Sequence, residues 1–396
     1  MEEGSPLDRA FLIILLCLGL IILAKRKFSW SNAIKENIWL MVLIGYMLVS
    51  CLWSDIPFLS LKRWSRQVIA VVMAFILLTE TDPRKALKSL FRRIIYILIP
   101  FSYILTHYFA EYGRAYVHHS GDLMWTGVTS HKNQLCQLCL LSAFFIIWSF
   151  IRRRQERDIP SVRYQTYLEV FILILAFSLM GGPEHSFVYS ATSTSAFAAG
   201  LSALILLSWK KKSGAILGQK VLLALIVFIF IYGTVTPMLG RLSVIDFSST
   251  LGREKTLKGR TSVWGQLVPV AMSRPILGHG FGGFWNTEAR ELYDISDSHN
   301  GYLGVLLEIG FVGLLLYAIF FLSSFRKAQR VMAQDFDWGA LWICFLLMAV
   351  THNIAESSLN TLMTILMSVI LLLTVSYKQG TSNVMQENDL SQQNGS

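Results

Sequence analysis

Apolar runs close to bilayer-crossing length recur along almost the whole chain, and they dictate the solvent in which it folds. A transmembrane helix needs roughly 20 predominantly apolar residues. Eleven runs of this kind are read, at 10–24, 38–53, 67–79, 94–110, 134–151, 167–181, 192–209, 221–235, 302–322, 338–354 and 362–377. With 54% hydrophobic and only 15% charged residues, the chain lies outside the soluble class. The expectation is an all-α polytopic membrane protein of about eleven transmembrane helices.

Orientation follows from the basic residues, because loops rich in Lys and Arg stay on the cytoplasmic side. Every dense cluster falls in alternate connections: Lys25-Arg26-Lys27, Arg84 to Arg93, Arg152-Arg153-Arg154, Lys210-Lys211-Lys212 and Arg326 to Arg330. The amino terminus is therefore expected outside and the carboxyl tail inside. The net charge of +10 is then explained by topology, so it does not imply a nucleic-acid partner. The first run is read as a retained span: acidic charge precedes it, Lys25-Arg26-Lys27 follows it, and it shows no small-residue cleavage site.

These features divide the chain into eight helices over 1–235, a large external loop over 236–301, three helices over 302–377 and a disordered cytoplasmic tail over 378–396. No internal repeat is visible. All five cysteines sit in or beside the runs, and Cys136-Gln137-Leu138-Cys139 lacks the second pair or histidine of a zinc site, so small core residues are expected.

The external loop gathers the chemistry. Residues 261–272 read as an amphipathic helix with Val263, Trp264, Leu267, Val268 and Val270 on its apolar side, able to lie in the interface with Arg260 just before its start. Gly278, Gly280 and Gly283 nominally fit G-x-G-x-x-G. No βαβ unit surrounds them, so a flexible loop with close backbone approach is the better reading.

Gly252-Arg253, Thr256-Leu257, Gly259-Arg260-Thr261 and Trp264, then Pro275, Gly278 and Gly280, then His299-Asn300-Gly301-Tyr302-Leu303, Glu308, Gly310 and Gly313, resemble the signature of the O-antigen ligase and polymerase superfamily. Trp53-Ser54-Asp55-Ile56-Pro57 with Ser60 and Arg63, Gly127-Val128 with His131-Lys132-Asn133, and Asn353-Ile354-Ala355-Glu356-Ser357 resemble its other landmarks, especially in the exopolysaccharide polymerase branch. The resemblance implies a metal-independent, inverting glycosyltransferase of the GT-C type. It would act outside the bacterial cytoplasmic membrane on oligosaccharides carried by undecaprenyl diphosphate, with no cofactor. It also implies membrane lipids as surroundings, with a chain-length regulator and export proteins as possible partners. An even number of spans and a cytoplasmic amino terminus are usual there, and the eleven runs depart from that layout in the first fifty residues.

By resemblance, Arg260 and Arg253 hold the diphosphate and His299 is the base; Arg63, His131, Lys132, Asn133, Asn300, Trp264 and Glu356 are the further substrate-binding candidates, and Glu308 and Glu356 read as partners for arginine rather than proton carriers. The residue chemistry agrees. Guanidinium forks stabilise charge developing on a departing diphosphate, and an imidazole suits a hydroxyl proton. Plainer readings stay open: Arg260 and Arg253 as partners of lipid headgroups, His299 as an interfacial cap, His131-Lys132-Asn133 as a loop end, and Arg63 as a surface charge. A ligase shares the donor and differs in acceptor. The Thr-Leu-x-Gly-Arg-Thr form and the His-Lys-Asn motif lean towards polymerase. A transporter or flippase fits less well, because the charges concentrate in one external loop.

Overall fold

The structure, a computed structural model, describes residues 6–26, 28–116, 121, 123–153, 160–183, 190–210, 215–239, 254–293 and 297–376. Arg253, the start of the large loop and the tail from 377 onward lie outside the described residues. The first half contains α1 (Pro6–Lys25), α2 (Trp30–Glu36), α3 (Ile38–Ser50), α4 (Pro57–Leu78), α5 (Pro83–Tyr108) and the short α6 (Ala110–Gly113). A two-stranded antiparallel hairpin, β1 (Arg114–Tyr116) and β2 (Leu123–Trp125), pairs Arg114 with Trp125 and leads into α7 (Lys132–Arg152). There follow α8 (Pro160–Gly181), α9 (Ala191–Lys210), α10 (Ala215–Leu239), α11 (Glu254–Ser273) and α12 (Thr287–Tyr293). The chain closes with α13 (Gly301–Gln334), α14 (Phe336–His352) and α15 (Ile365–Thr374).

Each of the eleven apolar runs falls on a separate helix, yet not all eleven are full-length spans. Seven helices (α1, α5, α7, α8, α9, α10 and α13) are long and apolar enough alone, and α2 with α3 makes an eighth bent by 98°. α14 has 17 residues and α15 only 10, while α4 carries Lys62, Arg63 and Arg66 in its first half. α15 is shorter than the run it was read from because tertiary contacts hold both flanks extended. The Leu362 amide donates to Gln67 Oε1 at 2.7 Å, Thr364 caps the Met367 amide, and the Ser376 amide donates to Asn37 Oδ1 at 3.0 Å.

α14 is the hub, buried along its length between α9, α10, α13 and α15. Lipid offers no hydrophobic drive between helices, so close approach and packing must hold them. Gly200 supplies one such approach, since a Cβ there would lie 2.5 Å from Met348 Sδ. Phe144 meets Phe345 with ring centroids 5.4 Å apart, and Trp148 meets Trp338 at 5.6 Å. The outward surfaces of α1 and α10 instead expose Phe11, Ile14, Phe228 and Ile231, which fits a surface facing lipid.

α13 is not a straight rod. Gly310 adopts φ 65° and ψ −168°, and the glycine-rich segment from Pro275 inserts at the break. The amides of Phe311 and Val312, freed from helical bonding, donate to the carbonyls of Pro275 at 2.8 Å and Ile276 at 3.2 Å, and the His279 amide donates to Leu307 O at 2.9 Å. A Cβ on Gly310 would sit 2.2 Å from Ile276 O, and one on Gly278 (φ 68°) would sit 2.6 Å from Glu308 O. Glu308 Oε2 accepts from the Gly282 amide at 3.0 Å, and Ser50 Oγ accepts from the Phe281 amide at 3.0 Å. The close backbone approach read from these glycines is present, but a flexible loop is not: residues 278–285 are buried.

The described basic clusters gather at one end of the bundle. Arg26 pairs with Glu80 at 2.7 Å, Arg84 and Arg152 both reach Asp335, and Lys327 Nζ donates to Asn37 Oδ1 at 2.9 Å.

Candidate active site

The other end of α7 opens on a second polar cluster. Its N-cap, His131, is extended (φ −150°, ψ 148°) and accepts at Nδ1 from the Asn133 amide at 3.2 Å, which leaves Nε2 to carry the proton of the neutral ring. Two residues into the helix, Asn133 Nδ2 donates to Glu356 Oε1 at 2.7 Å. Arg260 Nη2, from α11, donates to the same oxygen, also at 2.7 Å. Three elements thus converge on one carboxylate oxygen, which joins residues 96 and 223 positions apart in the chain.

The pair is largely shielded, with 16% of the Arg260 side chain and 11% of the Glu356 side chain exposed. Burial pushes the Glu356 carboxyl up from its ordinary range; Asp297 adds to that, while Arg260, His299 and the Asn133 hydrogen bond oppose it. His131 is pushed down by the protein packed against its ring and by the charges of Lys132 and His299, with Asp297 opposing, although the residue as a whole is exposed. Asp297, Lys132, His131 and His299 therefore all lie within electrostatic reach of this site.

His299 sits just before α13 in the left-handed region, at φ 49°, and is the one described non-glycine residue with positive φ. Such a backbone costs of order 1–3 kcal/mol and persists only where neighbours over-determine it. They do. Ser298 Oγ donates to Asn300 O at 2.8 Å and bonds Ser357 Oγ at 2.9 Å, Ser298 O accepts from Trp264 Nε1 at 3.0 Å, and the Gly301 amide donates to Asn353 O at 2.9 Å. The ring is half-buried, and its Nδ1 is enclosed without a hydrogen-bond partner.

The structure sorts the remaining candidates by what their side chains touch. Asn300 is fully buried: its Oδ1 caps the Leu303 amide at 2.8 Å, and its Nδ2 donates to Gly233 O and Ile354 O. Trp264 is buried on α11 with Leu267 and Ala271, and its indole N–H is spent on Ser298 O. Both side chains position the His299 segment. Arg63 donates to the carbonyls of Gly282 and of Trp285, the latter at 3.1 Å, and so engages the inserted glycine segment. Arg260 lies inside α11, not before its start, because the helix begins at Glu254. α11 also packs on α10 and α13.

Sequence reasoning passed over Asp297 and the anchoring role of Asn353. Asn353 is fully buried, accepts at Oδ1 from the amides of Ser358 at 2.8 Å and Leu359 at 3.0 Å, and donates from Nδ2 to Ala349 O. Asp297 adjoins the Ser-His-Asn motif, but its charge matters only because the fold carries it to Glu356 and His131.

Fold and site together define a multi-pass membrane protein with a polar arginine-histidine site at one end of its helical bundle. Two comparisons support the O-antigen ligase and polymerase superfamily. The O-antigen ligase family matches residues 186–318, a stretch that holds Arg253, Arg260, Trp264, His299 and Asn300. The exopolysaccharide production protein ExoQ of Rhizobium meliloti (strain 1021) is 22% identical over 336 residues, covering 81% of this chain and 72% of that protein. No solved structure matches the chain. The similarities support a glycosyl-transferring membrane enzyme of the ligase/polymerase type.

Proposed function

We propose that the protein polymerises undecaprenyl-diphosphate-linked oligosaccharide units into exopolysaccharide or O-antigen, as a metal-independent, inverting glycosyltransferase at the periplasmic face of the bacterial cytoplasmic membrane. One observation carries the reading: Arg260 is held by Glu356, which Asn133 holds in turn, beside a strained, half-buried histidine. Glu356 engages Nη2 of the guanidinium, and its other donors are available for a phosphate oxygen in the planar geometry that arginine offers. The amino-terminal ends of α7 and α13 flank the same place, and both bring positive dipole ends towards an anion.

In this reading the acceptor hydroxyl oxygen attacks the anomeric carbon on the face opposite the diphosphate. The bond from that carbon to phosphate oxygen breaks, and its electron pair leaves with the diphosphate, where Arg260 and, by resemblance, Arg253 meet the developing charge. The hydroxyl proton passes to the imidazole of His299. Lys132 adds positive potential, Glu356 anchors the guanidinium through Nη2, and Asn133 steadies the Glu356 carboxylate. Asn300, Trp264 and Arg63 keep the scaffold in place. The large loop, residues 236–301, is assigned to the periplasm and the tail, 378–396, to the cytoplasm, following the basic clusters. The ExoQ relative is named for exopolysaccharide production, which is compatible with a polymerase; the second reading, matching the name of the family, is a ligase that transfers the lipid-linked glycan to lipid A core or another acceptor.

The test is turnover of lipid-linked donor by purified protein with and without chelator, for wild type and His299→Ala. Activity should survive chelation, and His299→Ala should lower turnover by about 10²- to 10⁴-fold while donor still binds. Activity lost to chelator and restored by Mg²⁺ would overturn the metal-free mechanism, and unchanged turnover by His299→Ala would remove the base.

A further inference from the structure

The basic end of the bundle holds more positive charge than its described carboxylates pair. Arg84 Nη1 lies 3.6 Å from Asp335 Oδ2, and Arg152 Nη2 lies 3.3 Å from the same oxygen. Asp335 is further committed, since its Oδ1 caps the Trp338 amide at 3.1 Å. Glu169 is likewise shared: Arg153 bonds it directly, Arg92 Nε stands 4.0 Å away, and the Tyr96 hydroxyl donates to it at 3.1 Å. Lys88 lies over the indoles of Trp148 and Trp338, at 5.9 and 5.2 Å from their centroids, within electrostatic reach of Arg152, Arg92, Asp335 and Asp82.

Four arginines therefore share two carboxylates in close ion pairs, and Lys88 stands as a fifth cation beside them with Asp82 in electrostatic reach. Two guanidinium nitrogens, Arg92 Nε and Arg152 Nη1, are enclosed without a hydrogen bond. Unpaired buried donors of charged groups are costly, and like charges crowded on two helices, α5 and α7, repel unless an anion joins them. The side chains are nevertheless open on one side: 44% of Arg84, 34% of Arg92 and 33% of Arg152 is exposed.

The depth of the cluster identifies the anion's source. It lies at the carboxyl end of α7, whose 21 residues span about 30 Å, the thickness of the hydrocarbon core, from the Arg260 site at the other end. A cation cluster there faces the opposite leaflet at headgroup depth. Arginine forks match phosphate oxygens in planar, paired geometry.

We propose that Arg84, Lys88, Arg92 and Arg152 form a binding site for the phosphate of an anionic lipid headgroup, in the leaflet opposite the Arg260 site. It is separate from the glycosyl-transfer reading and stands whether or not that reading holds.

The full-length protein, purified in detergent, is mixed with phosphatidylglycerol or phosphatidylcholine, and retained lipid is counted by native mass spectrometry. Phosphatidylglycerol should be retained at least about tenfold better than phosphatidylcholine, whose phosphate is accompanied by a choline cation that the arginine cluster repels. Arg84→Gln with Arg92→Gln should abolish that preference, while Arg274→Gln, an exposed charge removed at the opposite end beside Asp55, should keep it. If the double variant does not purify, Arg84→Gln alone serves, and it should halve the preference or better. Equal retention of the two lipids by wild type, or full preference in the Arg84 and Arg92 variants, overturns the site. Displacement of phosphatidylglycerol by inorganic phosphate at equal concentration overturns the lipid assignment.

Discussion

If Glu356 holds Arg260 in its working orientation, the two residues must be energetically coupled, and a double-mutant cycle reads that coupling directly. Glu356→Gln keeps the size of the side chain and an oxygen for the 2.7 Å contacts from Arg260 and Asn133, but removes the charge. Two unit charges about 4 Å apart at an effective dielectric near 20 attract by about 4 kcal/mol. Part of that is already offset, because burial raises the Glu356 carboxyl and so taxes its ionised form. With both side chains less than a fifth exposed, screening removes little more. A net coupling of about 1–3 kcal/mol remains, in the range found for contacting residues, and it corresponds to roughly 5- to 150-fold in rate. Turnover of lipid-linked donor by wild type, Arg260→Gln, Glu356→Gln and the double variant, at matched protein in detergent, closes the cycle. Each single variant should fall by tenfold or more, and the double should fall little below the worse single. Multiplicative losses, or a Glu356→Gln protein at wild-type rate, would show that Arg260 is oriented by something other than this carboxylate.

Gly310→Ala places a Cβ 2.2 Å from the Ile276 carbonyl in a backbone with positive φ, so the folded yield from membranes should fall severely, whereas Gly45→Ala, with open space around it, should behave as wild type. His131 has a folded pKa below its ordinary value, so its contribution to stability is fully present above about pH 6.5 and is lost as pH falls through the lower folded pKa. The thermal-stability gap between wild type and His131→Asn should therefore shrink on acidification below that pH; a constant gap would refute the linkage. A reporter fused after Asn286 should register outside and one after Lys378 inside, and the reverse result would put the Arg260 site in the cytoplasm.

Much of the fold was legible because long apolar runs have few options in lipid, and each run became a helix. The departures are all tertiary. α15 is trimmed by bonds to Gln67 and Asn37, which lie hundreds of residues away. The break at Gly310 depends on a segment that arrives from before the helix in sequence, and no local pattern in 302–322 announces it. At the site, the motifs pointed to Arg260, His299, Asn133 and Glu356, but not to the shared oxygen that joins three of them. Asn300 and Trp264 carry polar atoms that look available in sequence and are spent inside the protein.

The inserted glycine segment also governs how this protein can be made. A helix interrupted at Gly310 leaves amide and carbonyl groups that lipid cannot satisfy, and their partners are the carbonyls of Pro275 and Ile276 and the amide of His279. α13 therefore cannot settle in the bilayer as an independent unit, released sideways like a simple stop-transfer sequence. The preceding polar segment must fold back to membrane depth as α13 enters, so biogenesis of the last three helices waits on the loop before them. A foreign loop grafted over residues 275–284 would change more than the chemistry at the surface: it would leave a finished-looking hydrophobic helix with no way to complete its insertion.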